Sequence, residues 1–128
     1  MWKIVLTAIG IGHLGTAAFM WAAPQVWYES VPGVAVLGPY NLHFVRDIGL
    51  IFLVSGLGLI WGAVWRNLTA GVFGTLWPLF HALFHLWIWA GRGVALDLIA
   101  LTNLAGIQLP GWLAVLAIIQ LNRQEERL

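Results

Sequence analysis

The sequence predicts an all-α fold, an integral membrane four-helix bundle, and three observations carry that prediction. Hydrophobic residues make up 61% of the chain and charged ones only 9%, against about 25% charged in an ordinary soluble domain. The mean hydropathy is +0.88. Four apolar stretches, at about residues 2–21, 42–65, 70–89 and 96–121, each approach the ~20 residues that cross a hydrocarbon core. They leave no room for a soluble domain, so residues 1–128 read as a single transmembrane domain. A formal net charge of +1 gives no electrostatic footprint for nucleic acid. Cysteine is absent, which excludes disulfides, thiolate metal sites and cysteine nucleophiles.

The first stretch, "MWKIVLTAIGIGHLGTAAFMW", is longer than the apolar region of a cleaved signal, and Trp21 followed by Ala-Ala-Pro reads as an interfacial helix end. It is taken as a spanning helix. Residues 22–41 contain Pro24, Pro32 and Pro39 with Gly33 and Gly38, which interrupt any continuous helix. They predict an ordered periplasmic cap between helices one and two, anchored by Trp27 and Tyr28, with Glu29 as an exposed loop carboxylate. The second helix opens on "YNLHFVRDIGL" and later spaces Gly58 and Gly62 for close packing within the bundle. In the third, Pro78 leaves a carbonyl near Gly74 without its usual donor. The last stretch reads as one helix from about Leu96 to Leu121 with a kink at Pro110, because Gly111–Leu121 alone is too short to cross. Asp97 would cap its start, and "NRQEERL" would form a short solvated end.

Lys3, Arg66, Arg123 and Arg127 fall on one side of such a bundle, and Arg46 and Arg92 on the other. The positive-inside rule then puts both termini in the cytoplasm. The nine Trp residues bracket the spans and serve as depth markers. His13 lies eight residues before Trp21 and His81 eight before Trp89, both about 12 Å below the outer interface at 1.5 Å per residue. Measured from Tyr40, Asp47 falls in the same deep layer, and His43 and His85 fall about one turn shallower. The pairs His43/Asp47 and His81/His85 are each spaced i, i+4, so each pair shares a face. Ionisable side chains cost some ~2.5–3.5 kcal/mol in hydrocarbon and turn inward, so convergence of the faces is expected.

Two function classes follow. In the first, His13, His43, Asp47, His81 and His85 hold a metal ion (iron, zinc or copper) or haem b near the periplasmic leaflet, for electron transfer or an oxidoreductase. Imidazole is the commonest protein ligand, and helix bundles host such sites. Copper(I) suits the set less, since only Met1 and Met20 offer soft sulfur. Arg46, Asn41 and Asn103 are the candidates to support those ligands or to touch a substrate. Arg46 lies about 100° round the helix from Asp47, and is expected to snorkel outward or meet an acid in the cap. In the second class, an accessory or quinone/lipid-binding subunit of a larger membrane complex uses the same cluster for proton or substrate handling. A purely structural role, fixing helix packing, is the third possibility.

"PGVAVLGPYNLHFVRDIGLIFLVSGLGL", residues 32–59, together with "HALFHLW", residues 81–87, resembles a group of small bacterial four-helix integral membrane proteins of unassigned function. The group shares a Pro-Gly-Val loop, a Gly-Pro turn and an Asn-x-His-Phe-x-Arg-Asp-Ile-Gly helix start, and is loosely similar to DoxX-type quinone-linked subunits. The resemblance implies a four-helix fold and a bacterial inner-membrane location, with His43, Arg46, Asp47, His81 and His85 at motif positions. The partners it leaves in view are the lipid bilayer, a quinone or redox partner, and a larger membrane complex or homo-oligomer.

Overall fold

The computed structural model of the chain describes residues 1–125, so the last three residues of the predicted solvated tail lie outside the described residues. It is helical throughout, with no strand among the described residues. The elements are α1 (Trp2–Ala22), α2 (Pro24–Ser30), α3 (Val34–Leu37), α4 (Leu42–Trp65), α5 (Leu68–Gly91), α6 (Leu98–Asn103), a π turn (Leu104–Gln108) and α7 (Leu109–Glu125). Four continuous helices are long and apolar enough to span a membrane: α1, α4, α5, and the combined run Leu98–Gln124. Each packs on the next in chain order, and α7 closes the ring on α1.

The helix ends are written in short-range chemistry. Asn41 caps α4 by accepting from the Phe44 amide at 3.1 Å, and Asn67 caps α5 by accepting from Ala70 at 2.9 Å. Arg66 closes α4 in the left-handed region at φ 54. Asp97 caps α6, its Oδ1 accepting from the Ala100 amide at 2.8 Å, as its position before an apolar run suggested. The final span is one continuous helix, as expected, beginning at Leu98. Its irregularity is the π turn just before Pro110, whose nitrogen has no proton to give. There the Leu109 amide reaches back five residues to the Leu104 carbonyl.

The bundle is divided along its length. At the end carrying the termini, Leu6, Leu59, Ala63, Ala114 and Ala117 form a sealed apolar core with Trp2, Ile118 and Leu121 packed round it. The buried polar side chains His13, Ser55, Thr75, Asn103 and Gln108 are the exceptions to an apolar interior. Close approach of α4 and α5 depends on glycine. A Cβ on Gly62 would fall 2.5 Å from the Gly71 Cα, and one on Gly74 would fall 2.5 Å from the Leu59 amide nitrogen. The Gly58/Gly62 spacing therefore serves contact inside the bundle, and lets the two backbones pass with no side chain between them.

Between α1 and α4, α2 packs on both of those helices. Tyr28 Oη donates to the Gly38 carbonyl at 2.5 Å and lies edge-on to Tyr40, with ring centroids 5.4 Å apart. Gly33, at φ +95, sits where a Cβ would strike Ile99 at 2.8 Å, so this ordered segment also meets the start of α6. Glu29 is exposed and accepts from Gln25 at 2.8 Å.

Candidate functional site

The site grows from the carbonyl that Pro78 orphans. Proline lacks the proton that residue 78 would give to the carbonyl four residues back, Gly74 O. Because Gly74 lies against the backbone of α4, Ser55 reaches across, and its Oγ donates to Gly74 O at 2.6 Å. His13 Nδ1 lies 3.0 Å from the same Oγ. A carbonyl only accepts, so the serine proton points to Gly74 and the serine oxygen accepts from His13 Nδ1–H. This network assigns the tautomer of His13 and leaves Nε2 with a free lone pair. The chain His13 to Ser55 to Gly74 ties α1, α4 and α5 together by polar contacts inside the bundle.

A train of rings runs on from His13. Phe52 is edge-on to it at 5.1 Å between centroids, and edge-on to Trp77 at 5.5 Å and to His81 at 6.2 Å. Trp77 stacks on His81 at 4.7 Å with an interplanar angle of 22°. His81 and His85 are one turn apart on α5, with centroids 4.5 Å apart, and Phe84 closes the row at 5.9 Å from His85. His13 is buried, while His81 and His85 are half-buried. Neither nitrogen of His81 or His85 has a hydrogen-bond partner among the described residues. Trp77 Nε1 is sealed from solvent and also lacks an acceptor.

The other expected ligands do not join this group. His43 Nε2 and Asp47 Oδ2 pair at 3.4 Å, but their side chains are 88% and 53% exposed. The buried residues of α4 are Val45, Gly49, Ser55, Gly56, Leu59, Gly62 and Ala63. His43 and Asp47 each precede one of them by two, about 200° round the helix. Their i, i+4 spacing showed that they share a face without showing which one. The inward argument also presumed hydrocarbon around them, whereas His43 lies in the first turn of α4, close to the surface that Tyr40 marks. The expected layers of His13, Asp47 and His81 over His43 and His85 thus reduce to His13, His81 and His85. Among the described residues, no three His, Cys, Asp or Glu side chains come together as a metal site.

Arg46, expected to snorkel to the outer interface or to meet an acid in the cap, is half-buried, with Cζ 5.4 Å from the centre of the Trp21 ring and Nε sealed without an acceptor. It is one residue from Val45 on the wheel, so it inherits part of the inward face. Asn41 is spent as a cap. Asn103 is buried, but in a second polar cluster with Gln108 and Trp112. Sequence reasoning passed over Ser55 and Gln108. The signal for Ser55 was present, since an orphaned carbonyl in a membrane helix demands a donor from a neighbour. Gln108 was marked only by being an amide in an apolar run two residues before Pro110.

Outside the spans, Arg92 Nη2 meets Asp97 Oδ2 at 2.5 Å. The Arg92 hydrogen bond, with the Ala100 amide, holds the Asp97 carboxyl below its ordinary range. Compared with known families, with characterised proteins and with solved structures, the chain matches none.

Proposed function

We propose that the chain is a membrane-embedded binding and proton-exchange subunit of a larger bacterial inner-membrane complex. Its His13, His81 and His85 imidazoles would receive an apolar ring molecule bearing carbonyl or hydroxyl oxygens, of the quinone type. One observation carries the reading. Three imidazoles gather beside Trp77 and Phe52, and Nε2 of His13 and all four nitrogens of His81 and His85 have no protein partner. An unpaired polar group in an apolar setting costs about 2–7 kcal/mol, so the cluster calls for an outside partner. Stacked aromatic faces and half-exposed rings favour a flat molecule with polar edges over a bare ion.

The division of labour follows from the geometry. Ser55 and the Gly74 carbonyl fix His13 in one tautomer, so that Nε2 accepts. His81 and His85 are free to donate or accept, and neutral imidazole passes a proton by taking one at one nitrogen and releasing one from the other. With the termini cytoplasmic, as the positive-inside bias of Lys3, Arg66, Arg123 and Arg127 favours, the cluster would lie nearer the periplasmic leaflet. The loose similarity to DoxX-type quinone-linked subunits points the same way.

Titration of the protein in lipid nanodiscs with a short-chain quinone, followed by Trp fluorescence, tests this. Saturable quenching is expected, weakened about tenfold or more in His81→Phe and His85→Phe, which keep ring bulk, and unchanged in His43→Ala. Absence of saturable binding, equal binding by the His variants, a Soret band from haem b, or tight iron, zinc or copper uptake in its place would each overturn it.

A further inference from the structure

A second polar cluster, with no hydrogen bond to the imidazoles among the described residues, forms where the π turn bends the last span. Gln108 is buried and its orientation is fixed from two sides. Trp112 Nε1–H, which can only donate, meets Oε1 at 3.0 Å, and the Ala82 carbonyl, which can only accept, meets Nε2 at 2.9 Å. The same Nε2 lies 3.0 Å from Asn103, which must therefore present Oδ1. The amide nitrogen of Asn103 is left facing elsewhere, with no partner among the described residues, on a residue that is 9% exposed.

Asn103 and Gln108 line an open groove of about 330 Å³ between α5 and α6, whose other walls include Leu86, Leu101 and Leu104. The volume is in the ~300–1,000 Å³ range of small-molecule sites. Asp97 also lines the groove and is paired with Arg92. Six residues separate Asp97 from Asn103, about 9 Å along a helix, comparable to the ~5–7 Å interfacial zone between headgroup surface and hydrocarbon.

We propose that this groove binds one molecule of zwitterionic glycerophospholipid. An ester carbonyl accepts from Asn103 Nδ2, an acyl chain lies along Leu86, Leu101 and Leu104, and the headgroup meets the Arg92–Asp97 pair. That pair offers one charge of each sign, which complements a phosphate beside an ammonium, whereas a neutral quinone has no charge to match either. The Asn103 donor supplies what bulk acyl chains cannot, a hydrogen bond at a fixed depth.

Native mass spectrometry of the full chain in detergent tests the site, using diester phosphatidylethanolamine, its diether analogue, and a short-chain quinone as competitor. The diester is expected to be retained about three- to tenfold better than the diether, the range that one hydrogen bond supplies. Asn103→Ala should erase that preference. Because Asn103→Ala also removes the acceptor of Gln108, Ala100→Trp is the companion variant: it fills the groove and leaves the amide network intact, and should lower retention of both lipids while keeping the thermal transition. Equal retention of diester and diether by the unaltered protein, unchanged retention in both variants, or displacement of the lipid by quinone would overturn the proposal. It is read out at Asn103 and Ala100, and the quinone reading at His81 and His85, so each can fail without the other.

Discussion

Replacing Ser55 by Ala removes two hydrogen bonds at once, and the structure indicates how the loss divides. Gly74 O loses its only cross-helix donor, at 2.6 Å, and His13 Nδ1 loses its acceptor, at 3.0 Å. Burying two unpaired groups costs about 1–3 kcal/mol each by soluble-protein measure. Interhelical bonds in membranes average nearer ~0.6 and reach ~1.7 kcal/mol. The sum expected for Ser55→Ala is therefore about 1–3 kcal/mol. Pro78 is what makes the serine necessary, because residue 78 is the one whose amide would bond Gly74 O in an unbroken helix. In a Pro78→Ala background that amide is restored, and Ser55→Ala should lose only its His13 half, roughly half its cost. Reversible unfolding in mixed detergent, on the two single variants and the double, measures the coupling. Imidazole nitrogen NMR follows in parallel, with His13 held as the Nδ1–H tautomer in the unaltered protein and released from it in Ser55→Ala. Equal cost of Ser55→Ala in both backgrounds would refute the reasoning.

Three further outcomes follow from the same geometry. Gly74→Ala drives a Cβ into the backbone of α4 at Leu59 and should cost about 1–3 kcal/mol of unfolding free energy, whereas Gly12→Ala, with nothing within 4 Å, should stay within ~0.5 kcal/mol. Asp97, its carboxyl held below the ordinary carboxylate range mainly by the Arg92 hydrogen bond, stabilises the start of α6 when ionised. The contribution is lost as pH falls through the depressed folded-state pKa, so the protection of the Ala100 amide against exchange, relative to its intrinsic rate at each pH, should fall on acidification below about pH 4, and Asp97→Asn should remove that dependence. Asp47→Asn should change stability by less than ~0.5 kcal/mol, being half-exposed on the outer face, while Arg46→Ala should cost about 0.5–2 kcal/mol through its stack on Trp21; a larger loss from Asp47→Asn in the same unfolding assay would show that the α4 face has been assigned the wrong way round.

The fold was legible because its determinants are local. Apolar length set the four spans, and Asn41, Asn67 and Asp97 act on amides three residues ahead of themselves. Part of the site was legible for a similar reason: depth counted from Trp21 and Trp89 put His13 and His81 at one level, and the structure brings them together around Phe52. Azimuth was the missing coordinate. His43 and Asp47 share a face at any rotation of α4, and which way that face turns is set by where Gly49 meets Met20 and Trp21 and Gly56 meets Gly10 and Leu14 of α1, a tertiary matter. The Asn103–Gln108 cluster depends on the π turn, which shifts register by one residue and brings side chains together that ideal helical spacing keeps apart.

The central claim is that His13, His81 and His85 form the receiving group, with His43 outside it. Titrating protein labelled with nitrogen-15 at histidine with a short-chain quinone in nanodiscs, and following all four imidazoles by NMR, measures this directly. Saturable shifts of His13, His81 and His85 at one common affinity are expected, with His43 unmoved. Shifts confined to His43, or none at any imidazole while the quinone is bound, would contradict it.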